Sequence, residues 1–244
     1  MLSINLLRSY AATAFLAGAL IIGAAQVRAE KLVMIDPFSP TAGWNMSTDD
    51  AFDLARAGCI EPLTRIDFDQ KMIPSLATSW KQSSPTTWDF SIRQGVKFTD
   101  GQDLTAAAVV NSLNHVLAAE APARAFNPKN VSKVEAIDSN TVRITTPTPS
   151  VVLPLRLAAP NTGILSPAAY TEGKETVNVI GTCTGPFEVV KDVPKQKLDL
   201  VRNNAYWGGK VATAEAEVRF IPDGNARVTQ LRSGEAHVAT KIPL

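Results

Sequence analysis

Two imidazoles are available for acid–base chemistry in this chain, and they sit in unrelated settings. His115 falls in an apolar-periodic stretch beside Leu113 and Val116, where a histidine reads as structural or solvent-facing. His237 has neither a second histidine nor a cysteine at metal-ligand spacing. The Gly-x-Ser-x-Gly elbow of serine hydrolases and the glycine-rich phosphate loop are both absent from the sequence. Asp49 and Asp50 make a carboxylate pair, but adjacent acids at the head of a short helix cap it more often than they move protons. Cys59 and Cys183, the only two cysteines, read either as one disulfide formed in an oxidising compartment or as two small buried residues that never meet. Sequence cannot bring their Cα atoms within bridging reach, so both readings stand. No constellation for catalysis emerges, and neither an enzyme nor a cofactor is expected.

Binding chemistry asks for something else: aromatic faces and a few fixed polar groups around a cleft. Trp88, Phe90 and Phe98 are poor candidates, because they alternate in a strand pattern and are expected to pack a core. Trp80, Tyr206 and Trp207 read as packing residues too. Trp44, beside Asn45, lies in the polar run 41–47, where no periodic pattern buries it.

The elements that must position these groups are short and mixed. Residues 31–35 read as an opening strand closed by Asp36-Pro37, and Asp49 or Asp50 heads a short helix that Gly58 stops. Residues 63–68 suggest a strand. Residues 87–93 alternate strictly, Gln94-Gly95 turns, and 96–98 is expected to return before a second turn at Asp100-Gly101. Thr105 takes an N-cap position ahead of an amphipathic helix over 106–117 carrying Val109, Leu113, Val116 and Leu117. Residues 131–138 and 141–146 form a hairpin turned by Ser139-Asn140, and 151–157 is a short apolar helix. Strands follow at 187–190, 198–201 and 218–221, then a helix at 225–232 stopped by Gly234. Many short strands with a few helices make this an α+β (mixed α/β) pattern.

The N-terminus is set apart. Arg8 precedes an uncharged stretch centred on residues 14–22, and Val27-Arg28-Ala29 offers a cleavage site, so residues 1–29 read as a signal peptide with the mature chain starting at Glu30. The leader holds two bases and no acid, which leaves 22 bases against 23 acids beyond it. No basic run suggests nucleic acid, and no basic amphipathic helix suggests a membrane surface.

Several segments in order resemble one family, the extracellular solute-binding proteins of family 5. They are Glu61-Pro62-Leu63-Thr64, then residues 73–80, the long run 87–101, Leu104-Thr105-Ala106, Ile164-Leu165-Ser166-Pro167, Gly185-Pro186-Phe187, Arg202-Asn203 with Tyr206-Trp207-Gly208, and Leu231 with Ser233-Gly234-Glu235. The family usually carries a tighter Gly-Thr-Gly-Pro where this chain has Gly181-Thr182-Cys183-Thr184-Gly185-Pro186. The resemblance implies two lobes hinged over a ligand, of which this chain holds lobe I with its inserted β-rich subdomain and lacks the second lobe. Residues 30–70 and 186–244 would form the lobe core, and 71–185 the subdomain.

It further implies a monomeric periplasmic protein that hands a small solute (a peptide, opine or nickel chelate) to the ABC permease subunits of the inner membrane. Segments facing ligand in relatives select Trp44 and Asn45, Arg124 and Phe126, and Asn161 and Thr162 as candidate ligand-binding residues. The rival readings are a lobe that folds without binding solute alone and, more remotely, an exported hydrolase.

Overall fold

The computed structural model describes residues 31–40 and 43–243; the predicted leader lies outside them. Two sheets carry the architecture. The opening apolar run forms β1 (Leu32–Asp36), a two-residue strand β2 (Trp44–Asn45) follows, and α1 (Asp50–Arg56) buries Ala51 and Leu54. Next come β3 (Thr64–Ile66) and β4 (Met72–Pro74), an antiparallel hairpin.

The middle of the chain builds a four-stranded antiparallel sheet. Its strands β5 (Ala77–Ser84), β6 (Thr87–Ile92), β7 (Lys133–Ala136) and β8 (Thr141–Thr145) lie in the order β5-β6-β8-β7. Over β7 and β8 packs α2 (Ala106–Leu117), whose N-cap Thr105 accepts the Ala108 amide through its hydroxyl. Phe90, Ile92, Val142 and Ile144 from the sheet bury against Val109, Leu113 and Val116 of the helix. Each such side chain contributes about 1.5–3 kcal/mol on leaving water. On the opposite face Asp89 takes a two-pronged bond from its cross-strand partner Arg143, at 2.7 and 2.9 Å.

A short helix α3 (Leu153–Arg156) and single turns at Pro160–Thr162 and Pro167–Ala169 lead to β9 (Thr176–Val177), which pairs with β2. The chain then completes a five-stranded sheet with β10 (Phe187–Val193), β11 (Lys197–Arg202), β12 (Glu215–Phe220) and β13 (Val238–Ala239). Between the last two lies α4 (Gly224–Ser233), closed by Gly234 in the left-handed region. The order is β10-β11-β12-β1-β13; β10, β11 and β12 are antiparallel, whereas β1 runs parallel to both of its neighbours.

The two sheets meet at a knot of long-range contacts. Cys59 and Cys183 form a disulfide, which resolves the alternative left open by sequence. The longer turn around Cys183 packs on the exit of α1: the amides of Thr184 and Gly185 both donate to Cys59 O, and Thr184 Oγ1 accepts from the Glu61 amide. A Cβ on Gly185 would stand 2.2 Å from Gly58 O, so only glycine admits this approach. Glu61, itself buried, accepts from Tyr206 Oη at 2.6 Å and from Trp207 Nε1.

Two expectations need correction. Residues 96–98 do not return as a strand; only a single bridge forms, between Lys97 and Asp103. The partner of β6 on that side is β5, an eight-residue edge strand whose polar sequence left no alternation to read, because all but Ala77 keep contact with solvent. Trp44 is not stranded in an open loop. Pairing of β2 with β9 folds it inward to 3% exposure, where its ring meets Phe220 and its Nε1 donates to Asp192 at 2.8 Å.

Candidate functional site

In sheets with parallel strands, the backbone leaves an open crevice beyond the carboxyl ends, and ligands settle there. Here β12, β1 and β13 run parallel and end together at Phe220, Asp36 and Ala239. Their exits are stitched to one another. The Ile221 amide donates to Asp36 O, the Thr240 amide to Ile35 O, and Thr240 Oγ1 to the buried Asp36 carboxylate at 2.8 Å. Arg227, 5% exposed on α4, donates to the carbonyls of Ile221 and Pro222 through Nη1 and to that of Lys241 through Nη2.

One groove opens beside these exits, and a second adjoins it, sharing Asp49 and Phe52. The first, about 420 Å³, lies between Phe38 and Lys241 on one side and α1 on the other. Phe38 is 58% exposed, and Lys241 Nζ stands 3.9 Å from its ring centroid, a cation–π contact. In its floor Arg56 bridges Asp36, at 3.2 Å, and Asp53. Burial, followed by the neighbouring Asp36 charge, pushes the Asp53 carboxyl up to about 6, and Arg56 only partly offsets them. Burial also raises Asp50, whose carboxylate accepts the Asn45 amide.

The second groove, about 560 Å³, runs from Phe52 and Asp49 to Arg124, Arg156 and Asn161. Three distant segments of the chain therefore meet in it: the region after β1, the loop following α2, and the turn at Pro160–Thr162. Arg156 donates from Nη1 to Ala125 O, which ties α3 to the loop carrying Arg124.

Of the six residues selected from sequence, Arg124 and Asn161 line this groove. Asn161 is mostly buried, and its Nδ2 clamps Met46 O and Thr48 O, so it shapes the wall as much as it faces the opening. Asn45 is half-buried, donating to Glu175 while its Oδ1 accepts from Ser47. Trp44, Phe126 and Thr162 are buried in the core and offer no open face. Phe38, Phe52, Arg156 and Lys241 were not anticipated. The one local signal was Phe52, which projects from α1 away from the apolar pair Ala51 and Leu54.

Neither histidine lies in these grooves. His115 Nε2 is 3.0 Å from Glu175 O, and His237 Nδ1 accepts the Val33 amide. Among the described residues no group of three or more His, Cys, Asp or Glu is placed to hold a metal ion. What the grooves can do is hold a small molecule between two exposed phenyl rings and charges of both signs.

The model of the bacterial extracellular solute-binding proteins, family 5 (middle) matches residues 71–244. The glutathione-binding protein GsiB of Escherichia coli is 31% identical over 211 residues, covering 82% of this chain and 41% of that protein. The nickel-binding protein NikA of Staphylococcus aureus, solved with Ni(L-His)2, superposes with a TM-score of 0.76 at 26% identity, over 87% of this chain and 44% of its own. The AgaA binding protein from Agrobacterium tumefaciens, solved with agropinic acid, superposes with a TM-score of 0.74 at 26% identity, over 85% and 43%. The chain thus spans well under half the length of these relatives.

Proposed function

The chain belongs to the bacterial extracellular solute-binding proteins of family 5, and from that premise we propose that it captures a small solute at the paired grooves for delivery to the membrane permease of an ABC importer. The observation that carries the reading is the meeting of remote segments in two adjoining grooves, which together present two exposed aromatic rings and charges of both signs on a concave surface. The relatives named above carry or are named for glutathione, a nickel–histidine chelate and agropinic acid, all small molecules. Arg124, Asn161, Phe52 and Lys241 are the proposed contacts, and Asn45, Trp44, Phe126 and Thr162 support the walls from behind. Export through the leader at 1–29 and action as a periplasmic monomer complete the proposal.

Affinity is where the second reading enters. A solute gripped between two lobes loses most of its surface only on closure, and one face supplies about half of the contacts while much of the immobilisation cost remains. A deficit of about 4 kcal/mol turns a micromolar site into a millimolar one. This chain spans 41% of GsiB, and a part of that extent tested by itself is expected to hold solute weakly. Titration calorimetry of the secreted chain with peptides, chelated nickel and opines tests both readings. Saturable millimolar binding of one class supports the proposal with the weak-lobe reading. Submicromolar binding would show a complete site on this lobe, and no saturable binding by any class would refute solute capture by this chain.

A further inference from the structure

A concavity of about 830 Å³ lies between α2 and the segment 167–175, and it shares no lining residue with either solute groove. Small-molecule sites commonly enclose about 300–1,000 Å³. One wall is α2, a surface helix without a single Lys, Arg, Asp or Glu. Asn111 neighbours both Asn114 and His115 on the helix surface, at about 5–6 Å between Cβ atoms. Of the polar side chains on α2, Ser112 and His115 have hydrogen-bond partners, whereas the amides of Asn111 and Asn114 have none among the described residues. His115 Nε2 stands 3.0 Å from Glu175 O, which can only accept, so Nε2 carries the proton. Nδ1 of the neutral ring is then an acceptor without a partner among the described residues.

The His115 ring leans on Tyr170, with centroids 4.7 Å apart. Tyr170 is half-buried, yet its Oη is shut off from solvent and turned toward Ser112 and Leu165, so Tyr170 meets the pocket with ring carbon. The wall opposite α2 is held in place by its own bonds. The Glu175 carboxylate accepts from the Glu120 amide and from Asn45 Nδ2, and the Lys174 amide donates to Thr171 O. A wall already ordered adds little to the entropic cost of binding. At the rim Glu120, Glu172 and Glu175 outnumber Lys174, which opposes anionic ligands.

A pyranose presents an apolar C–H face and a ring of hydroxyls, each of them both donor and acceptor. The exposed ring of Tyr170 matches the first, and two free amides beside an imidazole acceptor match the second. We propose that this pocket is a second binding site, for a neutral pyranose of mono- to disaccharide size, packed on Tyr170 and hydrogen-bonded by Asn111, Asn114 and His115. It neither requires solute capture at the grooves by Phe52 nor is required by it. A free sugar and an amino-sugar glycan share this chemistry, so the test includes both.

Cellobiose and N,N′-diacetylchitobiose are titrated into the full chain, followed by calorimetry and by amide chemical shifts. At least one should saturate in the millimolar range, moving the amides of residues 107–118 and 170–175 and leaving 49–56 unmoved. Preference for cellobiose assigns a free sugar, and preference for the acetylated disaccharide assigns an amino-sugar glycan. Asn111→Ala and Asn114→Ala should each weaken binding about two- to tenfold, the net worth of one hydrogen bond. Alanine favours the helix more than asparagine does, so neither change should unfold α2. Tyr170→Ala should abolish binding and Tyr170→Phe, which keeps the ring, should retain it; circular dichroism separates a lost ring from a lost fold. Arg232→Gln, on the exposed end of α4, should leave binding intact. No saturable binding of either disaccharide by the folded protein, binding that survives the double asparagine variant, shifts confined to 49–56, or tighter binding of choline would overturn the proposal while leaving solute capture untouched.

Discussion

Replacing both cysteines with alanine removes the one covalent tie between the exit of α1 and the turn before β10. Cys59 and Cys183 are 124 residues apart, and both are fully buried. Cross-linking a loop of that length removes about 16 cal/mol/K from the unfolded ensemble, equivalent to about 5 kcal/mol at 25 °C in the chain-entropy treatment. Native disulfides commonly deliver somewhat less, about 2–5 kcal/mol, because the unfolded chain retains structure. For a protein of this size each kcal/mol lowers Tm by about 2–4 °C, so the double variant should melt roughly 10 °C below the wild type. The hydrogen bonds around the cystine, from Thr184 and Gly185 to Cys59 O, should survive in the folded variant, so the loss comes mainly through the unfolded state. Thermal melts followed by near-UV circular dichroism, with urea titrations for the free energy, give the magnitude. A thiol titration of denatured wild-type protein, expected to find none free, checks the bond itself. A melting shift below about 2 °C with the bond confirmed would refute the entropic reasoning.

Two further outcomes follow from the structure. Phe90→Ala should cost about 3–5 kcal/mol, since that ring is fully buried at the centre of the four-stranded sheet. Trp88→Ala should cost less, because its half-buried ring sits at the margin and donates to Ser150 O; urea titration of the pair returning the opposite order would show the wrong residue at the core. Asp53 predicts a pH effect of defined sign. With its folded pKa pushed up to about 6, the native state binds more protons than the unfolded one between about pH 4 and 6. Its contribution therefore favours folding at the acid end of that window and is lost as pH rises through 6. Asp53→Asn, which can still accept from Arg56, should flatten that fall and leave Tm at pH 7 equal or higher; a variant with the wild-type pH slope would contradict the assignment.

Local order was legible because local chemistry specifies it. Thr105 ahead of an apolar stripe places α2, Ser139-Asn140 turns the β7–β8 hairpin, Gly234 stops α4, and strict alternation marks β6. Each depends on residues close in sequence, where spacing and backbone preference speak directly. What failed to show was set by partners far away. The polar β5 becomes a strand only because β6 offers an unpaired edge, and β13 only because β1 does. Trp44 looks solvent-bound until β9, over 130 residues on, closes on β2.

The grooves divide in the same way. Sequence located the segments near Trp44, Arg124 and Asn161, yet the faces it favoured there, Trp44 and Phe126, are buried as supports. Phe38, Arg156 and Lys241 carry no local mark, and Phe52 only its place off the apolar pair of α1, since exposure and a missing counter-charge exist only once β1, α1, α3 and β13 are brought together. The sequence by itself determined the locally specified elements, the family and the two possible fates of the cysteines. Tertiary structure alone decided that the cysteines bond, which strand ends align, and which side chains face the opening, because each of those depends on a distance between residues the chain separates.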